Sequence, residues 1–265
     1  MKLPSLFIPH GAGPCFFMRW TWGPEDMWAR LGLWLTSIAD SLPCRPKAIL
    51  VFSAHWEADH FTLGGAPFPK LLYDYQGFPV ETCQLRYQAP GAPWLAYEAN
   101  ERLCKAGLPA SLDVQRGLDH GAFVPLKLIY PAADIPVFPL SLLRDLDPEA
   151  HLAAGEALAE LRADGVLIVG SGMSFHNLQP TGSTVEIRAQ AFDDWLYDTL
   201  ACAPAEGRLR LLNWEHAPEA RFAHPRAEHL MPLLVACGAA GGQPARRVYA
   251  EKLAGLVAVS AYRFG

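Results

Sequence analysis

Four short apolar runs, Leu3 to Ile8, Ala48 to Phe52, Ile135 to Leu140 and Val166 to Val169, are bounded by turn-forming residues and separated by segments of helical character. Each reads as a buried strand. Strand, helix, strand alternation with continuously apolar strands argues for a sheet covered on both faces. The clearest helix lies between Asp147 and Gly165. Asp147 suits the N-cap, Pro148 the first helical position, Glu149 the positive end of the dipole and Gly165 the stop. Leu152, Leu158 and Leu161 would face the sheet. Further helices are expected over Trp94 to Ala106, near Glu186 to Cys202, and from Pro225 through Val235. His60 to Gly65, Leu71 to Tyr75 and Glu81 to Tyr87 read as short strands or edge segments around a Gly77-Phe78-Pro79 turn, which makes the sheet mixed. No internal repeat, low-complexity tract or Gly/Ser/Pro linker divides the sequence. The expectation is α/β: a single domain over residues 1–265, with a central mixed sheet covered by helices on both faces.

Composition supports a folded, core-rich chain, because 51% apolar against 18% charged residues is far from the signature of disorder. A net charge of -5 offers polyanions no field, and Arg246-Arg247 belongs to no longer basic run, so nucleic acid is excluded as a partner. The six cysteines form no C-x-x-C pair, which excludes a zinc ribbon and a thioredoxin-like motif and points to reduced, mostly buried thiols. The N-terminal apolar stretch is too short for a signal peptide and is broken by prolines, and no stretch approaches the ~20 apolar residues of a membrane span. The cytoplasm is the expected location, with no membrane contact. Monomer and homo-oligomer are both left open.

The informative pattern is where the histidines fall. His10 follows Leu6-Phe7-Ile8-Pro9, His55 follows Leu50-Val51-Phe52-Ser53-Ala54, and His176 closes the stretch that begins at Ile168-Val169. In open α/β sheets ligands bind beyond the carboxyl ends of the strands, so residues distant in sequence can converge there. His120, in the predicted loop Gly117-Leu118-Asp119-His120-Gly121, and His229, near the start of a predicted helix, fit the same picture. Gly11 and Gly13, and Gly170 and Gly172, leave room for a ligand to approach the backbone. His60, His151, His216 and His224 lack such settings and are read as surface or structural. Glu215, Glu219, Arg221 and Arg226 read as a solvated loop or rim. There is no Walker lysine after Gly11-Ala12-Gly13, no G-x-S-x-G around Ser171 and no H-E-x-x-H, which disfavours a phosphate loop, a nucleophile elbow and a zincin helix.

Several ordered motifs then stand together: Pro9-His10-Gly11, Ser53-Ala54-His55-Trp56, Gly77-Phe78-Pro79, Tyr87-Gln88-Ala89-Pro90-Gly91, Leu118-Asp119-His120-Gly121, Tyr130 to Val137, Ser171-Gly172 with His176-Asn177-Leu178, and Glu228 to Leu234. Through them the chain resembles, nearly end to end, the class III extradiol ring-cleavage dioxygenases of the LigB superfamily, in particular the DOPA-dioxygenase-like branch. The resemblance implies metal ligation by His10, His55 and His229, with His176 either a fourth ligand or an acid/base residue and His120 beside substrate and oxygen. It implies Fe(II) for activity, with Zn(II) able to occupy the site in purified protein, and a small aromatic diol and O2 as substrates. The better known extradiol enzymes use two histidines and a carboxylate, whereas His229 occupies the final position here, just after Glu228. Helical neighbours point about 100° apart, so one of the two reaches a metal, and His229 is favoured.

Three neutral imidazoles leave the full charge on the metal and lower the pKa of a bound hydroxyl. A free histidine, His176 first and His120 second, would move protons, with Asp119 orienting His120. Trp56, Tyr75, Phe78, Phe123 and Phe175 are candidates for an aromatic wall. Two other readings compete: a zinc-dependent hydrolase, since the same ligands serve zinc-activated water, and a non-catalytic, Memo-like metal-binding protein.

Overall fold

The computed structural model describes residues 2–265. Its strands are β1 (Ser5–Pro9), β2 (Ala48–Ala58), β3 (Phe61–Gly64), β4 (Ala110–Asp113), β5 (Val137–Leu143), β6 (Val166–Gly172), β7 (Ala245–Leu253) and β8 (Val257–Phe264). Its helices are α1 (Ala29–Ser41), α2 (Pro93–Lys105), α3 (His120–Ile129), α4 (Pro148–Leu158), α5 (Val185–Ala201), α6 (Pro204–Leu212), α7 (Ala220–Ala223) and α8 (Met231–Ala239). The strands form one sheet in the order β4-β3-β5-β2-β6-β1-β8-β7. Its centre, β5-β2-β6-β1, is parallel, while β3 on β5, β8 on β1 and β7 on β8 pair antiparallel. The four apolar runs are the four central strands, and their continuous apolarity has the expected cause. Along β2, Ile49 and Val51 enter one core with residues of α1, α3 and α5, while Leu50 and Phe52 enter a second core with residues of α2 and α4. Helix α8 contributes to both.

Asp147 caps α4 as expected, accepting from the backbone N–H groups of Glu149 and Ala150, and Leu152, Leu158 and Leu161 are buried. Other expectations need correction. Leu71 to Tyr75 makes only an isolated bridge from Leu71 to Leu118, and Val80–Gln84, within the expected strand Glu81 to Tyr87, is a 3-10 turn. Instead the Tyr75 hydroxyl donates to the Thr82 carbonyl and Thr82 turns back on Pro79. The helix expected from Pro225 begins at Met231, with Pro232 in its first turn, where a missing N–H costs nothing. Helix α3 and the β7–β8 hairpin escaped the sequence reading. Cys15 alone is buried, while Cys44, Cys83 and Cys104 are exposed, so the thiols are not mostly buried. No helix among the described residues is long and apolar enough to cross a membrane.

Candidate metal centre

The carboxyl ends of β1, β2 and β6 bring the histidines together. His10 follows Pro9, the last residue of β1, and its N–H donates to the Gly172 carbonyl on β6 at 3.1 Å. His55 lies where β2 leaves its register with β5: Ser53 to Trp56 stand opposite the single residue Ser141. Such a bulge re-aims a side chain. His229 precedes α8, and its carbonyl accepts the N–H of Met173 at 3.1 Å. That contact depends on Gly172, since a Cβ there would collide with the His229 carbonyl oxygen. Gly170 and Gly172 therefore admit the segment bearing His229, not a ligand. Gly11 does sit at a turn that needs its positive φ of 81°.

His10, His55 and His229 each offer a ring nitrogen, and these atoms lie within 4.8 Å of one another. The Nε2 atoms of His10 and His55 are 3.2 Å apart, close to the ~3.0 Å between two nitrogens set at right angles ~2.1 Å from one ion. Hydrogen bonds fix which nitrogen is free. The Ser171 hydroxyl donates to the Gly121 carbonyl, so at 3.0 Å from His10 Nδ1 it accepts the imidazole proton. His229 Nδ1 donates to the Glu228 carboxylate at 2.9 Å. Both rings thus keep Nε2 unprotonated, the tautomer that metal ligation requires. Burial, reinforced by the neighbouring imidazoles, holds His10 and His55 well below the usual histidine range, and burial lowers His229 to about 4 despite Glu228. Three neutral donors converging on one point fit a divalent transition metal.

Two carboxylate–imidazole pairs flank this cluster. His176 stacks on His229 with ring centroids 3.3 Å apart, and its Nδ1 lies 3.3 Å from the same Glu228 oxygen. Its nitrogens group with Glu228 and His229 and not with His10. Burial works to raise Glu228, but hydrogen bonds from His176 and His229 prevail and hold it far below the carboxylate range. Arg226, read as part of a solvated rim, lies 3.4 Å from the second Glu228 oxygen and also pairs with Glu57. Glu228 and His229 are not rivals for one helical position: α8 starts only at Met231, and the carboxylate turns back onto its neighbour.

On the other flank, His120 is the first residue of α3 and not a loop residue. Asp74 takes both its backbone N–H and its Nδ1 at 2.9 Å. Burial opposes the charge on Asp74, yet these bonds from His120 leave its carboxyl below the ordinary value. Asp119, the residue expected to orient His120, instead caps α3, accepts from Ser53 and pairs with Arg116. Asp74 was missed because it lies within Leu71 to Tyr75, read as a short strand, in which no motif singled it out.

The family model described as the catalytic LigB subunit of aromatic ring-opening dioxygenase matches residues 6–264. The chain belongs to the LigB family. Similar relatives of this dioxygenase include the 4,5-DOPA dioxygenase extradiol of Beta vulgaris, 42% identical over 83% of each chain. The dioxygenase tasH of Hapsidospora irregularis is 39% identical over 80% of this chain and 70% of its own length. The Escherichia coli K12 protein named 4,5-DOPA dioxygenase extradiol is 32% identical over 91% and 87%. A crystal structure of an uncharacterized Escherichia coli K12 protein superposes with a TM-score of 0.78 at 28% identity, covering 100% of both chains. The LigB enzymes are metal-dependent, and the histidine cluster is where this member can bind one.

Over the histidines of this LigB enzyme opens a cavity of about 540 Å³. Tyr75, Phe78 and Phe175 line it as expected, but Trp56 and Phe123 do not: Trp56 packs under the Arg116 guanidinium, and Phe123 is fully buried against Tyr73. The sequence reading missed Trp20, Trp22 and Trp28, which complete the wall. The signal was compositional. Four of the eight tryptophans, Trp20, Trp22, Trp28 and Trp34, fall within residues 20–34.

Proposed function

We propose that this chain is a non-haem Fe(II) extradiol dioxygenase, with His10, His55 and His229 holding the metal, that opens a catechol-type ring beside its diol and places both atoms of O2 in the product. The observation that carries this reading is the convergence of three neutral imidazoles at the floor of an aromatic-walled cavity. When bound, the metal supplies Lewis acidity toward the diol oxygens and a neighbouring position for oxygen. The protein's part is to orient the ring and move protons. His120 and His176 each tie Nδ1 to a carboxylate, which leaves Nε2 as a base and stabilises the imidazolium that forms. His176 acts as acid/base and not as a fourth ligand, because it groups with Glu228 and His229 alone. The exposed thiols of Cys44, Cys83 and Cys104 suit the reducing cytoplasm in which we place the enzyme.

The test is anaerobic loading with Fe(II), then oxygen uptake and formation of the yellow ring-opened product across a panel of catechols. Turnover of a catechol with oxygen consumed one for one is expected. Metal-replete protein that turns over no catechol, or that hydrolyses a substrate without oxygen, overturns the proposal. His176→Ala is expected to keep its metal and lose about 10²–10⁴-fold in turnover; loss of the metal would make His176 a ligand.

A further inference from the structure

We infer that the cavity selects catechols carrying an uncharged, apolar alkyl or aryl substituent over catechols carrying a carboxylate. This rests on the catechol reading of the same site and specifies the substituent. None of the residues lining the cavity is Asp, Glu, Lys or Arg. The wall is ring and hydrocarbon surface from Trp20, Trp22, Met27, Trp28, Phe78 and Phe175. Even the indole N–H groups of Trp20 and Trp28 are shielded from solvent and meet no acceptor, so those side chains offer contact area and not polarity.

The polar groups in the lining are mostly committed. Both ends of the Asn177 amide are engaged, the nitrogen with the Phe222 carbonyl and the oxygen with the Gln179 N–H. The Tyr75 hydroxyl donates to Thr82. Gln76 remains, and it is exposed. The cations on the segments around the wall are paired as well: Arg19 with Glu25, Lys252 with Glu186, Arg116 with Asp119, and Arg226 with Glu57 and Glu228. Away from the histidine floor, a carboxylate entering this space would lose its hydration and meet no free Lys or Arg, only the exposed Gln76 amide, a cost that ionised groups do not meet by packing. Tryptophan faces can receive an ammonium, but the carboxylate of an amino-acid substituent would still be stranded. The volume points the same way. At about 540 Å³ the cavity falls in the range of roughly 300–1,000 Å³ that holds drug-sized ligands, and a bare catechol would leave much of it unfilled.

Two measurements on Fe(II)-loaded protein decide the matter: anaerobic quenching of tryptophan fluorescence for Kd, and oxygen uptake for KM. The ligands are 4-tert-butylcatechol and 3,4-dihydroxybiphenyl against protocatechuate, 3,4-dihydroxyphenylacetate and DOPA. The preference is read in Kd and KM because substituents also change the intrinsic reactivity of the ring. The apolar pair is expected to bind about tenfold tighter or better. Carboxylated catechols that bind equally well or more tightly overturn the inference and leave the reaction standing. If no catechol consumes oxygen, the proposed reaction fails, and the Kd ratio still decides the selectivity.

Discussion

His10 and His229 at the cluster, and His151 and His224 outside it, are all buried histidines, yet only the first pair brings free nitrogens together for chemistry. His151 spends both nitrogens on the backbone: Nδ1 donates to the Asp147 carbonyl at 2.6 Å, and Nε2 accepts from the Leu143 N–H at 3.1 Å. His10 and His229 anchor Nδ1 and keep Nε2 open. His224 also has a nitrogen to spare, since Nε2 donates to the Ser174 carbonyl and Nδ1 has no partner. It lies against the Phe192 and Trp214 rings and joins no cluster of donors among the described residues. Burial does not mark a ligand. What marks one is a fixed ring with a leftover nitrogen that meets others like it.

The comparison breaks if the two groups of histidines respond alike to substitution. The largest effect is expected for His229→Ala. It removes one of three donors and should weaken metal binding more than about a hundredfold, beyond the 10–100-fold typical of outer-shell changes, taking turnover with it. Metal analysis after dialysis beside oxygen uptake is the check, and a full complement of metal would refute the ligand set. Next is Glu228→Gln, which keeps the shape but removes the charge facing His176 and His229. A loss of about 10–100-fold in metal affinity or turnover is expected, and an unchanged enzyme would reduce Glu228 to packing.

The smallest effect belongs to His151→Phe, which strands the Leu143 N–H and should cost about 1–3 kcal/mol of stability with activity per folded molecule unchanged. The acid side sharpens the contrast. Burial holds folded His151 neutral below its ordinary 6.5, whereas the unfolded chain takes up the proton near 6.5 and so binds more protons as pH falls. The stability His151 contributes is therefore complete above pH 6.5 and lost below it. Denaturant titrations at pH 7.5 and 5.5 should show a shallower acid loss for the variant than for the parent.

How legible this was in the sequence varies by element. The central strands could be read because burial on both faces makes them continuously apolar, and the start of α4 because Asp147 and Pro148 mark it, whereas the helix gives way to a 3-10 turn after Leu158, short of the stop expected at Gly165. The β7–β8 hairpin was missed on its edge side, where Arg246, Arg247, Glu251 and Lys252 break up the apolar pattern of β7. Helix α3 hid behind Pro125 in its interior and an almost wholly buried sequence with little amphipathic contrast. At the site, strand ends and ordered motifs pointed to the histidines. The motifs included Ser171 but not its role toward His10, and they passed over Asp74, because a serine within a strand and a carboxylate in an irregular segment acquire meaning only when the chain folds beside them. Trp56 and Phe123 illustrate the reverse error, since an aromatic near a site motif can as well pack away from it.

The sheet pairs β1 with β6 and β8, so β1 has no parallel or antiparallel neighbour until β6 has been synthesised. His10 and His229 are separated by more than two hundred residues of the same polypeptide. A chain in which His229 has not yet been made can therefore hold no assembled histidine cluster, and a metal can be captured there only afterwards. Any ion met earlier would encounter isolated imidazoles with nothing to select it.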